Sequence, residues 1–228
     1  MFDWANDPQF WLGLLQIIWI DIILSGDNAV VIALACRRLP RHQQRVAILA
    51  GTGAAIALRV TMATVVTLLL EISWLKLIGS VLLLWIAIKL LAPQDEEGGD
   101  GASIGNLWQA IRTIVIADFV MSLDNVIGIA AAAKGSVLLL TLGLMISIPL
   151  IVFSSTVILR FMGRYPWIVT LGGALLGYIA GEMAVTDRAV AGWIADHAPV
   201  LHTIGPVLGI VFVVVVGKVL AARITRQV

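Results

Sequence analysis

The stretch DIILSGDN, residues 21–28, is the most informative part of this sequence because it places charged side chains inside an apolar run. A second stretch, DFVMSLDN at residues 118–125, repeats the same pattern D-x3-S-x-D-N. Each copy lies in the middle of a segment long enough to cross a bilayer, where one carboxylate costs roughly 2.5–3.5 kcal/mol. Four carboxylates in two matched sets therefore predict a functional site inside a duplicated fold.

The composition predicts an all-α, polytopic membrane protein. The chain has 228 residues, of which 60% are hydrophobic and 13% charged, whereas soluble domains carry about 25% charged residues. The net charge of +1 gives no basic face for nucleic acid. The single cysteine, Cys36, excludes an internal disulfide. The first apolar stretch is too long for a signal-peptide core, so no cleaved targeting segment is expected.

Seven segments are apolar enough to span a membrane, which takes about 20 residues. We predict transmembrane helices over residues 10–36, 46–70, 73–91, 107–133, 137–159, 166–185 and 199–222. Residues 93–103, PQDEEGGDGAS, form an acidic, glycine-rich linker of the kind that is flexible and exposed.

The repeat extends beyond the polar strings. WLKLIG at residues 74–79 resembles WIVTLG at 167–172, and WIAIK at 85–89 lines up with YIAGE at 178–182. Each repeat then has three helices, so the second copy enters the membrane from the opposite side. We predict an inverted repeat whose two copies are residues 1–92 and 104–186. The linker 93–103 joins the copies, and residues 187–228 form a loop and a seventh helix. Transporters of this design bind their substrate near the midplane, between the repeats.

The basic residues predict the orientation, because they concentrate in cytoplasmic loops. Ten fall on one side: Arg37, Arg38, Arg41, Arg45, Arg112, Arg160, Arg164, Lys218, Arg223 and Arg226. Three fall on the other: Lys76, Lys134 and Arg188. We expect a multi-pass protein of the cell inner (plasma) membrane, with its N-terminus outside and its C-terminus in the cytoplasm.

The spacing of the first polar string leaves two interpretations open. On a continuous helix Asp21, Ser25 and Asn28 share one face, whereas Asp27 lies roughly 120° away. Either the helix is unwound at Ser25–Gly26 and Asp27 turns inward, or it is intact and Asp27 contacts a neighbouring helix. The second copy has Leu123 in place of the glycine, so we expect any unwinding to be asymmetric.

The donor atoms in the strings are all hard oxygens, which favour Mn²⁺, Mg²⁺ or Ca²⁺ over Zn²⁺ or Cu⁺. The predicted metal ligands are Asp21, Asp27, Asn28, Asp118, Asp124 and Asn125, with Ser25 and Ser122 as weaker candidates. No organic cofactor is implied.

Three further charges fall inside the predicted spans. Lys89 and Glu182 occupy equivalent repeat positions and could form a salt bridge across the pseudo-twofold axis, unless Lys89 snorkels to the nearby helix end. Arg59 is deeper, and we expect it to pair with an aspartate. With both cations paired, three negative charges remain, which a divalent cation and a proton would neutralise.

A ridge of Gly173, Gly177 and Gly181 predicts close helix packing.

At these residues the sequence resembles the TerC family of integral membrane proteins. The similarity is strongest in residues 19–35, WIDIILSGDNAVVIALA, and in SLDNV at residues 122–126. The length is similar to the short, seven-helix branch of that family. The resemblance implies manganese export, a link to tellurium resistance, membership in the LysE exporter superfamily, and metal-binding roles for Asp27–Asn28, Asp124–Asn125, Asp21 and Asp118.

Together these observations predict a transporter and not an enzyme: a Mn²⁺/H⁺ antiporter working by alternating access in the lipid bilayer. No G-x4-G-K-[ST] nucleotide motif is present, so uphill export needs protons. The alternatives are an exporter of amino acids or other small solutes, and a metal-stabilised scaffold for stress-resistance proteins. An intramembrane hydrolase that uses two aspartates is disfavoured. Such catalysis needs one pair of aspartates, whereas this sequence has two equivalent sets of Asp, Ser and Asn. Homo-oligomerisation is left open.

Overall fold

The computed structural model describes residues 8–65, 69, 72–92, 104–133 and 136–225, and these are almost entirely helical, without strands. The expected all-α fold is thus confirmed. The helices are α1 (Pro8–Leu24), α2 (Gly26–Cys36), α3 (Arg41–Thr64), α4 (Leu75–Leu91), α5 (Ile104–Ala133), α6 (Val137–Arg164), α7 (Trp167–Thr186), α8 (Ala191–His197) and α9 (Leu201–Thr225). The predicted linker 93–103 and Lys134 lie outside the described residues.

Within the described residues, five helices are long and apolar enough to cross a membrane: α3, α5, α6, α7 and α9. The pair α1 and α2 adds a sixth span if it is counted as one bent helix. Helix α4 has 17 residues, fewer than the roughly 20 that a bilayer requires. The chain is a multi-pass membrane protein, and the count of seven spans stays a prediction.

Large apolar side chains cover the outside of the bundle, as a lipid-facing surface requires. Trp19 and Ile78 are each 66% exposed and Phe153 is 68% exposed. The charged and polar side chains Asp21, Arg59 and Ser122 are instead buried. Apolar side chains are thus exposed and charged ones buried, the reverse of a soluble protein. Protein, and not lipid, therefore surrounds the polar groups.

Two contacts between parallel helices match each other across the chain. Ile17 on α1 packs against Gly143 on α6, and Ile114 on α5 packs against Gly51 on α3. Ile17 and Ile114 each lie four residues before the first aspartate of a polar string. The predicted repeat accounts for this match, although the repeat as a whole stays a prediction.

Helices α7 and α9 pack backbone to backbone, and glycines make this approach possible. Gly177 lies so close to Gly209 that a Cβ added to Gly177 would come within 2.5 Å of the Gly209 carbonyl oxygen. One turn away, Gly181 faces Gly205 in the same way. The third glycine of the ridge, Gly173, packs against Leu91 on α4. The expected close packing is therefore present, and it fixes α7 between α4 and α9.

The expected ion pair between Lys89 and Glu182 is not among the contacts of the described residues. Helices α4 and α7 run antiparallel, because Gly79 meets Met183 whereas Leu91 meets Gly173. Lys89, two residues before Leu91, therefore lies close to the level of Gly173, about two helical turns from Glu182 along α7. Its ammonium group sits 5.1 Å from the centroid of the Trp85 ring, a cation–π contact, and the Glu182 side chain is exposed.

Asp187, just after α7, caps the N-terminus of α4. Its Oδ1 accepts from the backbone N–H of Trp74 at 3.1 Å, and its Oδ2 from that of Leu77 at 3.0 Å. The N–H of Ala189 donates to Oδ1 at 2.7 Å. Burial acts to raise the pKa of Asp187, but these backbone donors together hold that pKa below its ordinary value of 3.8. The cap ties the start of α4 to the end of α7.

Replacing Gly177 with alanine tests the α7–α9 contact. We expect Gly177→Ala to destabilise the protein by about 1–3 kcal/mol, because backbone atoms of α9 cannot move aside as a side chain could. Thermal unfolding in detergent, followed through the reactivity of buried Cys36 with a thiol-specific fluorophore, measures the change. Gly163→Ala is the control, since nothing lies within 4 Å of the added Cβ. Equal midpoints for the two variants would contradict the contact.

Replacing Asp187 with asparagine tests the cap. We expect Asp187→Asn to cost about 1–2 kcal/mol at pH 7, the usual range for a lost capping carboxylate. The pKa of Asp187 is lower in the folded state than its ordinary 3.8, so its contribution is complete above pH 3.8 and lost as the pH falls through the folded-state pKa. Unfolding midpoints of wild type and variant should therefore converge in acid. A difference that stays constant with pH would rule out the charged cap.

Candidate functional site

Arg59 on α3 joins the two polar strings. Its Nη1 lies 2.5 Å from Asp21 Oδ1 on α1, and its Nη2 lies 2.5 Å from Asp118 Oδ1 on α5. The relative exposure of the Arg59 and Asp21 side chains is only 2% and 1%. Asp118 lies near the middle of the 30-residue helix α5. The first aspartates of both strings therefore meet at one buried cation, and the expected pairing of Arg59 with an aspartate is present twice.

The serines of the two strings complete this cluster in the same way. Ser25 Oγ accepts from Arg59 Nη1 at 3.0 Å and donates to Asp21 Oδ1 at 3.0 Å. Ser122 Oγ accepts from Arg59 Nε at 3.1 Å and donates to Asp118 Oδ2 at 3.2 Å. All three guanidinium nitrogens donate in these contacts, to four acceptors, as a charge this deeply buried requires. Ser147 on α6 donates to Asp21 Oδ2.

The first string is broken where its glycine stands. Helix α1 ends at Leu24 and α2 begins at Gly26, with a bend of 51° between them. Ser25 has φ −106° and ψ 4°, outside the helical range. Helix α5 runs unbroken through the second string. Unwinding at Ser25–Gly26 is therefore the interpretation that holds, and the expected asymmetry is confirmed.

The DN pairs of the two strings stabilise this break. In a continuous helix the Leu24 carbonyl would accept from the Asn28 N–H. Here the Asn28 N–H donates to Asp27 Oδ1 at 2.8 Å, and Asn125 Nδ2 donates to the Leu24 oxygen at 3.0 Å. Asp27 thus adds a carboxylate to the first turn of α2, where the helix dipole favours negative charge. The second string caps the break in the first.

A small cavity lies beside Arg59 and Asp118, with about 10 Å³ of room. Besides these two residues, two further buried polar side chains line it, Asn28 on α2 and Thr52 on α3. Neither the Asn28 amide nor the Thr52 hydroxyl has a hydrogen-bond partner among the described residues. Buried polar groups are almost always paired, so the cavity has room for a water molecule or an ion to pair with groups that the described residues leave unpaired.

Asp124 lies apart from this cluster. Its side chain is 48% exposed and pairs with Lys76 on α4. Among the described residues, no group of three His, Cys, Asp or Glu side chains is close enough to hold a metal ion. Of the predicted ligands, the structure therefore gathers Asp21, Ser25, Asp118 and Ser122 around Arg59, places Asn28 beside them, and uses Asp27 and Asn125 at the break.

Three participants are missing from the sequence-based prediction: Ser147, Thr52 and Lys76. Serine and threonine are common in apolar helices, and neither Ser147 nor Thr52 belongs to a repeated motif. Lys76 stands near the start of α4, and its charge by itself indicates only a membrane boundary. The approach of Lys76 to Asp124 depends on how α4 and α5 pack, which the sequence pattern does not specify.

The charges of the cluster do not balance. Asp21 and Asp118 share the single positive charge of Arg59, and the half-buried Asp27 adds a third carboxylate nearby. An uncompensated buried carboxylate is unfavourable unless a proton or cation neutralises it. The site is therefore suited to take up positive charge.

The integral membrane protein TerC family model matches residues 6–227 of the chain. The relative named "Uncharacterized membrane protein YjbE" of Bacillus subtilis (strain 168) is 40% identical over 208 residues, covering 91% of this chain and 94% of the relative. "Uncharacterized membrane protein YceF" of the same organism is 27% identical and covers 80% of this chain and 77% of its own length.

A third relative is longer than this chain. "UPF0053 inner membrane protein YoaE" of Escherichia coli (strain K12) is 27% identical over 188 residues, which are 74% of this chain but 36% of that protein. No solved structure matches the chain.

Removing Arg59 tests the electrostatic account of the cluster. We expect Arg59→Met to destabilise the protein by about 3–5 kcal/mol, because two buried carboxylates lose their partner. The triple variant Arg59→Met, Asp21→Asn, Asp118→Asn removes those charges and should recover most of the loss. Thermal unfolding reported by Cys36 labelling compares the two. If the triple variant is no more stable than the single one, charge imbalance is not what makes Arg59 necessary.

Proposed function

Because this chain belongs to the TerC family of integral membrane proteins, we propose that it is a secondary transporter that exports divalent metal cations, with Mn²⁺ as the preferred substrate. The observation that carries the proposal is the meeting of Asp21 and Asp118 at one buried point. Matching aspartates from two copies of a motif supply an oxygen-lined site to which both halves of the molecule contribute. Such sites between repeats are typical of secondary transporters.

The donor set supports a hard divalent cation. The small cavity is lined by the carboxylate of Asp118, the unpaired amide oxygen of Asn28 and the hydroxyl of Thr52, and by no sulfur or imidazole. The carboxylates of Asp21, across Arg59, and of Asp27 lie nearby. Mn²⁺, Mg²⁺ and Ca²⁺ prefer such ligands. Neutral amide and hydroxyl oxygens limit the affinity, which lets the ion leave again.

Arg59 gives this site an internal cation. The guanidinium lies between the carboxylates that a metal ion would use. We propose that the cation enters through the Asn28–Thr52 side, draws Asp118 away from Arg59, and is bound while Arg59 keeps Asp21. Return of Arg59 to both aspartates would then expel the cation. This internal cation lowers the unmatched negative charge that the protein carries through the unloaded half of the cycle.

The break at Ser25 supports alternating access. A 51° bend joins two half-helices whose contacts differ: both α1 and α2 pack on α5 and α6, whereas α2 also packs on α3 and α7. Movement at the break would change the position of Asp21 relative to Asn28. Broken helices at the substrate site are common in transporters, because the unwound backbone lines the cavity and not the lipid.

Export of a divalent cation from an inside-negative cell is uphill. Each charge costs about 2.3 kcal/mol per 100 mV, so two cost roughly 4.6 kcal/mol. We propose that inward protons supply the coupling by protonating the aspartates that release the metal. The proposed location is the cell inner membrane with the N-terminus outside, in line with the excess of basic residues at the α2–α3 turn.

Flux measurements with purified protein in liposomes test the proposal. We expect Mn²⁺ movement driven by an imposed pH gradient to fall at least a hundredfold in Asp118→Asn and Asp27→Asn. Asp196→Asn, a neutralised carboxylate in the exposed end of α8, is the control and should retain the wild-type rate. Thermal unfolding confirms that the variants are folded. Wild-type rates in folded Asp118→Asn would overturn the assignment.

Competition distinguishes metal export from export of an amino acid or another small solute. Excess Mg²⁺, Ca²⁺ or unlabelled Mn²⁺ should lower Mn²⁺ flux in that same assay, whereas a mixture of amino acids should not. Amino-acid movement without metal movement would assign the protein to the other class of exporter. Absence of any flux in the wild type would favour the scaffold interpretation.

A further inference from the structure

A second cavity lies at the end of the bundle that carries the excess of basic residues. It has a volume of about 580 Å³ and lies between the α2–α3 turn, the end of α4, the α6–α7 turn and the end of α9. Arg37, Arg38, Arg41 and Lys218 line it. This basic pocket is separate from the Arg59 cluster, which lies deeper in the bundle.

Among the described residues, the four cations of the basic pocket face no acidic side chain. No Asp or Glu is among the residues that line it in the described part of the chain. Arg37 donates to the Leu90 carbonyl at 2.9 Å and Arg38 to the Ala92 carbonyl at 2.6 Å, contacts that hold both arginines against the end of α4. Each uses one of the five N–H groups of its guanidinium.

Burial and mutual repulsion strain this arrangement. Burial, with a smaller contribution from the neighbouring Arg38, lowers the pKa of Arg37 to about 10. Burial also lowers the pKa of Arg38. The positive-inside rule explains why basic residues are present at this end, but it requires only that they lie near the surface. It does not require them to converge on one cavity.

Most of the remaining lining is apolar, with Gln44 and Thr170 as its polar members. Leu91, Leu159, Met162 and Val169 supply the large apolar side chains, which we call the apolar wall of the pocket. A cavity that combines several cations with an apolar wall at the level of the membrane surface suits an amphiphile with an anionic head. Basic pockets between transmembrane helices on the cytoplasmic side bind lipid head groups for this reason.

We propose that the basic pocket is a binding site for an anionic phospholipid, with the phosphate at Arg37, Arg38, Arg41 and Lys218 and the glycerol and first acyl carbons along the apolar wall. Arginine pairs with phosphate through two parallel hydrogen bonds. The bound lipid would reinforce the end of the bundle where two arginine contacts join α2 to α4 and where Leu91 packs α4 on Gly217 of α9. This inference does not depend on the proposed transport function.

The acidic linker is the competing occupant. It begins directly after Ala92 and contains Asp95, Glu96, Glu97 and Asp100. Its carboxylates match the charge of the cations, but the methyl group of Ala102 is the only apolar side chain between residues 94 and 103 that the linker offers to the apolar wall. The apolar wall therefore favours the lipid.

Lipid titration of the full chain in an uncharged detergent tests the proposal. Short-chain phosphatidylglycerol should raise the unfolding midpoint, reported by Cys36 labelling, in a saturable way, whereas phosphatidylcholine of the same chain length should not. Removing two of the four cations in Arg41→Gln, Lys218→Gln should weaken phosphatidylglycerol binding about thirtyfold, at about 1 kcal/mol per basic residue. Both side chains are exposed, so this variant should fold.

The control is Arg45→Gln, Arg160→Gln, which removes the same charge from exposed positions outside the pocket and should bind within twofold of wild type. An equal loss in the control would reduce the effect to diffuse surface charge and overturn the proposal. An equal midpoint rise with inorganic phosphate alone would assign the pocket to a free anion and would also overturn it. If Asp95→Asn, Glu96→Gln, Glu97→Gln binds phosphatidylglycerol at least tenfold more tightly, the linker is the native occupant and the lipid assignment fails.

Discussion

The buried guanidinium of Arg59 is the constraint on which the rest of the molecule depends. An arginine inside a bilayer-spanning bundle must have its charge and its N–H groups matched. Asp21 and Asp118 match the charge, and Ser25 and Ser122 accept further hydrogen bonds. These partners come from α1 and α5, so the need to satisfy one side chain on α3 fixes three helices at the same depth. The same demand leaves one carboxylate charge unmatched, and this remainder makes the structural cluster suitable for a second cation.

The two copies of the motif have diverged in use while keeping their first aspartate and serine in equivalent roles. Gly26 allows the first copy to break, whereas Leu123 keeps the second within a continuous helix. After the break, Asp27 supports the first turn of α2. On the intact helix, Asp124 faces outward and meets Lys76. Asn125 then reaches across to the carbonyl that the break exposes. A repeated sequence has thus become one asymmetric site, in which the unbroken copy supports the broken one.

Helix α2 is held at both ends by different parts of the molecule. At its start, the break is capped from α5 through Asn125. At its end, Arg37 and Arg38 bind the last carbonyls of α4. Between these attachments, Asn28 faces the small cavity next to Arg59 and Asp118. Any movement of α2 that opens this cavity must therefore alter contacts at both ends, which connects the Arg59 cluster to the basic pocket.

The sequence by itself determined the membrane class, the helical fold, the pairing of two polar strings, the close packing of the glycine ridge, and the asymmetry between Gly26 and Leu123. These follow from composition, repetition and the conformational freedom of glycine, all of which are local properties. Only the tertiary structure decided which charges meet. Arg59 pairs with two aspartates instead of one, and the antiparallel packing of α4 and α7 separates Lys89 from Glu182. No motif marks Ser147 and Lys76, which gain polar partners, or Thr52, which lines the small cavity. The physical reason is that an ion pair depends on the relative depth and rotation of two helices, and side-chain packing between distant segments sets both.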